Sequence, residues 1–334
     1  MLFSNSSLYV GLSSCRYATG VSLPPPAGRL HLHSERRSDR LRLIFTNKKS
    51  LAVRHFTVVC AFLMSALALQ GQFWEGGAFV GASSYSGDLA RRAQEPSEYG
   101  LSYGLFGRYN MRRHLSFKLH AYRGEISGTD ANSSLASGRR DRNLSFQSDI
   151  YEVGGQVEFN LLGFDPASSD HLTTPYLFAG VAGFYYNPMA DFGGELVELQ
   201  PLGTEGQTLN GDDPYSLYQV SFPLGVGFRF SLNRYACIGF EAGARLTLTD
   251  YLDDVSTTYP DIDALRAQNS LAADLSFRTP EFRDDINLPN PEGTSRGNPD
   301  NDDWYFFGGI TVSFYLSDTS GRFGQQRWRR SSRD

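Results

Sequence analysis

The sequence predicts an all-β fold: an eight-stranded antiparallel transmembrane β-barrel with short periplasmic turns at one end and long extracellular loops at the other. Three observations carry that expectation. Apolar and polar residues alternate with a period of two in eight segments, as in strands whose two faces meet different surroundings. The links between the segments alternate short and long, the arrangement of outer-membrane barrels. An uncharged apolar run behind a basic stretch has the layout of a Sec signal peptide. Composition agrees, because 34 Gly, 24 Phe and 18 Tyr among 334 residues, against four Met and three Cys, favour β-structure.

Residues 1–50 read as an N-terminal extension outside the fold. Up to residue 55 there are nine Lys and Arg against two acids, with Pro24, Pro25 and Pro26 and no periodicity. Residues 51–71 read as the signal peptide: Lys48, Lys49 and Arg54 precede the run from Phe56 to Leu69, and the polar Gln70, Gly71 and Gln72 follow. The run is shorter than the roughly 20 residues of a spanning helix, and no basic stop-transfer flank follows it. Val59 is too bulky to precede a lipidated Cys60. An extension ahead of a signal peptide has no evident role, so translation is expected to begin near Leu51 or Val53, followed by Sec export to the outer membrane. From Gln72 onward 22 basic residues face 34 acidic ones, a net charge of −12, which excludes a nucleic-acid binder on charge grounds. Cys237 is the sole cysteine of that part, so it holds neither an intramolecular disulfide nor a CxxC zinc site.

The barrel is assigned to residues 72–317. Its strands are expected at 73–85, 99–111, 115–122, 151–161, 175–187, 216–232, 236–250 and 304–316. In the fourth, Tyr151, Val153, Val157, Phe159 and Leu161 share one face and Glu152, Gln156, Glu158 and Asn160 the other. The short links are 110–114, 163–174 and 232–235, and the long ones 86–98, 123–148, 188–215 and 251–303, with a short helix conceivable only within 260–280. A half-buried strand of a soluble sandwich alternates in the same way, so the signal peptide and the link lengths decide the matter. Trp74, Tyr99, Tyr109, Tyr151, Tyr185, Tyr186, Tyr251, Trp304 and Tyr315, near strand ends, suit interfacial girdles.

The inward face carries Glu75, Glu152, Glu158 and Glu241 against Arg108, Lys118, Arg229 and Arg245. The interior of an eight-stranded barrel is just wide enough to be filled by side chains, and buried charges need partners. A packed charge network that closes the lumen is therefore expected, and function falls to the loops, the turns or the outer wall. Asp253, Asp254, Asp261, Asp263, Asp274, Asp284, Asp285, Asp300, Asp302 and Asp303 make the last link a solvated acidic loop. Its stretch from Asn298 to Asp303 offers oxygen ligands but lacks the spacing and closing Glu of an EF-hand, so no metal or cofactor is assigned. His114, His120 and His171 fall in a turn, a strand and a turn, with no nucleophile elbow, so no catalytic residue is assigned.

Several segments taken together resemble the DUF6089 family of Bacteroidetes-type outer-membrane proteins, which includes the PorG component of the type IX secretion system. They are Asn143 to Glu152, Thr174 to Gly180 with Asn187 and Pro188, Leu199 to Gly206, Gly239 to Arg245 running into Thr249 to Tyr259, and Arg296 to Pro299 before Trp304. The resemblance covers about residues 73–317. It implies a non-enzymatic barrel, held among outer-membrane lipids, that docks the periplasmic ring of the secretion and gliding machinery, built from the PorK lipoprotein and PorN. A ring partner would meet Arg112, Arg113, Phe164, Asp165 and Pro166 at the periplasmic turns. The loop motifs Gln200, Pro201, Gly203 and Glu205, then Asp250, Tyr251, Asp253 and Asp254, then Arg296 and Asn298, are expected to fold the loops onto the barrel mouth through turns and carboxylate hydrogen bonds. One departure is a basic tail at 318–334 with Arg322, Arg327, Arg329, Arg330 and Arg333, read either as a disordered end or as a binder of an acidic partner or lipid headgroups. The alternative reading is a stand-alone small barrel of the OmpA/OmpX kind, acting in membrane integrity or surface adhesion.

Overall fold

The computed structural model describes residues 74–90, 96–133, 138–166 and 170–316. The expected extension at 1–50, signal peptide at 51–71 and tail at 318–334 lie outside the described residues. Ten strands are present among those described. They are β1 (Trp74–Ser86), β2 (Tyr99–Arg112), β3 (Leu115–Thr129), β4 (Ser145–Asn160), β5 (Thr173–Tyr186), β6 (Met189–Phe192), β7 (Glu195–Glu198), β8 (Tyr218–Ser231), β9 (Ala236–Thr247) and β10 (Trp304–Tyr315).

Eight of them form a closed antiparallel transmembrane β-barrel. Each pairs with its neighbour in the order β1-β2-β3-β4-β5-β8-β9-β10, and β10 returns to β1 from Glu75↔Tyr315 to Ser86↔Trp304. Burial is inverted relative to a water-soluble protein. Leu101, Leu105, Leu119, Val153, Val181, Val226 and Phe240 are exposed on the outer wall, while Glu75, Arg108, Lys118, Glu152 and Arg245 are buried within. Such a wall belongs in hydrocarbon, where closure also satisfies every strand edge. Tyr151, Tyr185 and Tyr218 stand side by side on β4, β5 and β8 and mark one rim of the band. Trp74 and Tyr109, with ring centroids 5.2 Å apart, mark the other. From Tyr151 to Phe159 a tilted β4 climbs about 20 Å, close to the apolar band of about 25 Å typical of such barrels.

Parity corrects three of the girdle assignments. Tyr185 faces out, so Tyr186 must face in, where it is fully buried. Tyr315 lies between outward Phe314 and Leu316 and packs inside with Phe164 and Cys237. Tyr251 lies beyond β9 and stacks on Tyr215, centroids 4.6 Å apart.

Two strands are longer than their hydrophobic alternation suggests. β3 continues to Thr129 and β4 begins at Ser145, paired Thr129↔Ser145, well past the expected ends at 122 and 151. Above the tyrosine rim the pattern reverses: Glu125, Ser127, Gln147 and Asp149 face outward, while Ile126, Phe146 and Ile150 face the core. The same backbone period passes from lipid into water, and the outer face changes from apolar to polar.

The long links are structured. Among their described residues are five short helices: α1 (Arg139–Arg142), α2 (Gln207–Asn210), α3 (Ile262–Gln268), α4 (Ser270–Ser276) and α5 (Thr279–Arg283). The Asp261 carboxylate accepts from the Asp263 and Ala264 amides to start α3, and Asn269 does the same for α4. β6 and β7 form a hairpin whose turn, Gly193-Gly194, has φ of +66° and +90°, the left-handed pair that a two-residue connection requires. Inside the barrel, glycine makes room for aromatics: a Cβ on Gly227 would fall 2.2 Å from the Tyr176 ring.

Candidate functional site

Alternation on six strands brings all eight expected interior charges together, and their side chains are sealed from solvent. Nearest the short turns, Arg108 on β2 lies 2.6 Å from Glu75 on β1 and 2.7 Å from Glu158 on β4. Arg229 on β8 stands 3.9 and 3.8 Å from the same two carboxylates. It also donates to the Asn160 side-chain oxygen and, at 3.2 Å, to Ser116. Asn110 donates to Glu75 at 3.1 Å. Farther along, Lys118 on β3 reaches Glu241 on β9 at 2.5 Å, and the Tyr176 hydroxyl donates to that carboxylate at 3.0 Å. Beyond it Glu152 gathers His120 at 2.7 Å, Tyr305 at 2.6 Å and Arg245 at 3.3 Å. Four cations thus face four carboxylates, as burial demands.

Aromatic rings complete the filling. Arg108 and Lys118 each lie 4.8 Å from the Phe106 centroid, and Arg245 lies 4.6 Å from that of Phe307. Next come Phe79, Tyr122, Phe184 and Phe307, part of a core that runs on into the long loops. Sequence reasoning passed over His120 and Tyr305 as partners of Glu152. Their inward parity between Lys118 and Tyr122, and between Trp304 and Phe306, is the signal that identifies them.

At the short-turn end the link after β4 folds under the barrel. Gly163, at φ +72°, redirects the chain, and the Phe164 amide donates to the Arg113 carbonyl at 2.8 Å. Phe164 is buried with Cys237 and Tyr315, and its ring carries the Arg229 guanidinium at 4.6 Å. Asp165 is buried too, 3.0 Å from Arg113. Phe164 and Asp165 were expected to meet a partner at the surface, and the structure withdraws both: an apolar ring beside an open barrel mouth is better buried in it. Arg112 is exposed, while Arg113 and Pro166 are half-buried.

At the other end the three loop motifs meet in one cap. Arg296 pairs with Glu205 at 3.0 Å and lies 3.6 Å from Asp254. Glu205 accepts from the Ser256 amide at 2.9 Å, the Thr257 hydroxyl at 2.6 Å and the Tyr251 hydroxyl at 3.3 Å. Asp254 accepts from Tyr215 at 2.8 Å and from Thr204. Gln200 holds the Tyr215 carbonyl at 2.9 Å, Pro201 opens a single 3₁₀ turn, and Gly203 closes it at φ +62°. The Asn298 amide donates to Asp88 at 2.6 Å. Asp253 and Asp303 converge on Tyr85 of β1, whose hydroxyl lies 2.5 and 3.1 Å from them. The reading of the last link as a solvated acidic loop is corrected here, because Asp253, Asp254 and Asp303 are buried, together with Asp250. Sequence spacing did not show that Tyr85 and Leu89, and Thr204 and Tyr215 of a separate link, would close over them and supply amide and hydroxyl donors.

Crowding carboxylates out of water alters their acidity. Burial pushes Asp250 up to about 8, reinforced by the charges of Asp253 and Asp88. Burial also raises Asp254, to about 6, against the opposing pull of Arg296. Asp253 is raised by burial and by the charge of Asp88, and Asp303 by burial and by the charges of Asp253 and Asp250. Among the described residues no cluster of His, Cys, Asp and Glu has the arrangement of a metal site.

A family model described as "Domain of unknown function (DUF6089)" matches residues 53–280. No curated protein sequence matches the chain. Among solved structures, the N-terminal β-barrel domain of Pseudomonas aeruginosa OprF is 9% identical, over 74% of this chain and 99% of that one, at a TM-score of 0.32. Neisserial surface protein A is 11% identical, over 73% and 97%, at 0.36. Ail of Yersinia pestis, its attachment invasion locus protein, is 8% identical, over 73% and 100%, at 0.33.

Proposed function

The chain belongs to the DUF6089 family, and on that footing we propose that it is a non-enzymatic outer-membrane component of type IX secretion and gliding, docking the periplasmic ring to the membrane. The observation that supports a scaffold over a transporter is the filled lumen, with four cations locked onto four carboxylates along its length. A barrel sealed in this way works through its ends and its wall. The apolar wall holds it among outer-membrane lipids after Sec export. Its short-turn end, with exposed Arg112, faces the periplasm and the ring proteins, which resemble PorK and PorN.

The test is extraction of the tagged full-length barrel from native membranes in mild detergent, with the recovered proteins identified by mass spectrometry. Recovery of the ring lipoprotein with its soluble ring partner is expected, and Arg112→Glu should reduce it. A barrel that emerges alone contradicts docking and favours the stand-alone reading in membrane integrity or surface adhesion. The observation on the side of that second reading is the folded cap, which is more elaborate than a membrane anchor needs.

A further inference from the structure

A polar cleft of about 540 Å³ opens on the cap, within the size range of small-ligand sites. Its walls come from three of the long links: Asp88 after β1, Arg139 to Arg142 in α1, and parts of the last link from Tyr259 to Asn298, α5 included. The chain braces these walls against one another. The Asp88 carbonyl accepts from Arg139 at 2.7 Å and from Arg142 at 3.2 Å, and Arg142 also donates to the Arg296 carbonyl. The Asn298 amide reaches the Asp88 carboxylate at 2.6 Å. A cleft already held in shape spends less of its binding energy on ordering.

Charge and hydrogen-bonding capacity together select the occupant. Four guanidinium groups line the cleft, and carboxylates of this chain already hold three of them: Arg142 lies 2.7 Å from Asp130, Arg296 lies 3.0 Å from Glu205, and Arg283 pairs with Asp141. The fourth, Arg139, stands against Asp88. No positive charge is left over to draw a phosphate or a sulfate, and the guanidinium groups turn away a cation. Neutral hydrogen-bonding capacity of both kinds is what remains. Arg283 spends one of its five N–H groups on Asp141, whose other oxygen stays open as an acceptor. The Asn298 side-chain amide, a donor and an acceptor, makes no hydrogen bond among the described residues. Neither does the hydroxyl of Tyr259, a residue only 7% exposed that lines the cleft. Its ring meets that of Phe277, also in the lining, edge to face at 5.6 Å. A ligand that answers this set is uncharged, carries many groups that each donate and accept, and has an apolar face to lay on aromatic rings. A pyranose sugar has all three properties, because its hydroxyls both donate and accept while its ring C–H groups form an apolar face.

We propose that this cleft binds a neutral oligosaccharide, with a sugar ring against Tyr259 and Phe277 and its hydroxyls shared among Asp141, Arg283, Asn298 and the Tyr259 hydroxyl.

The test uses the full-length barrel in a detergent without a sugar headgroup, titrated with maltotriose, cellotriose and laminaritriose and followed by ligand-observed NMR. Trigalacturonate and inorganic sulfate, run alongside, report on charge. At least one neutral trisaccharide is expected to bind with a Kd of roughly 1 mM or below, and both anions more weakly than it. Tyr259→Phe removes a hydroxyl that the cap itself does not use, and should weaken that binding about fivefold. The double variant Arg283→Leu, Asp141→Leu removes an exposed ion pair whole, stranding neither charge, and should weaken it about tenfold or more. Both variants should leave amide exchange across residues 250–257 unchanged. Binding of none of the three trisaccharides, tighter binding of trigalacturonate or sulfate, or an affinity untouched by both variants would each overturn the proposal.

Discussion

Lys118 and Glu241 lie 2.5 Å apart with neither side chain reaching solvent, so each is tolerable only because of the other. Replacing one strands the other, at a cost of about 3–5 kcal/mol. Lys118→Met should therefore lower the urea midpoint of the detergent-held barrel sharply, and adding Glu241→Gln should recover much of the loss. Equal destabilisation by the single and double variants would contradict the pairing. Phe164→Ala removes the ring from beneath Arg229 and should cost about 3–5 kcal/mol by the same measurement, with Asp165→Asn a milder loss. At this scale parity was enough to place the eight interior charges, because a strand's period is fixed by the backbone. It did not place Phe164, whose inward turn depends on one left-handed glycine and a hydrogen bond from its amide to the Arg113 carbonyl of the first turn.

Among elements, the cap is the one whose stability should follow pH. Asp250, at about 8, and Asp254, at about 6, hold protons in the folded cap that an unfolded aspartate, near 3.9, has already lost. Between roughly pH 4 and 8 the folded cap thus binds more protons than the unfolded one, and its stability falls as pH rises through the folded values. Amide exchange across residues 250–257, corrected for the intrinsic rate, should show protection decreasing from pH 5 to pH 8. Asp250→Asn should flatten that slope, and protection that increases with pH would contradict the assignment. The cap was the least legible element. Its carboxylates looked solvated because their donors come from Tyr85, Thr204 and Tyr215, distant in sequence. The outer reaches of β3 and β4 were hidden for a related reason, since their alternation reverses where the wall leaves lipid.

For the whole molecule, the strand count, the closure and the alternation of short and long links were all readable, because lipid imposes one pattern on every strand that crosses it. What occupies the lumen was inferred from barrel width, and the structure supplies its content: paired charges, then aromatic rings, then a braced cap above and Phe164 below. The scaffold reading stands or falls with that seal. Single-channel recording on the purified barrel in a planar bilayer tests it most directly. The account predicts no steady conductance, with at most brief openings at high voltage, and a steady large conductance from the native barrel would contradict it.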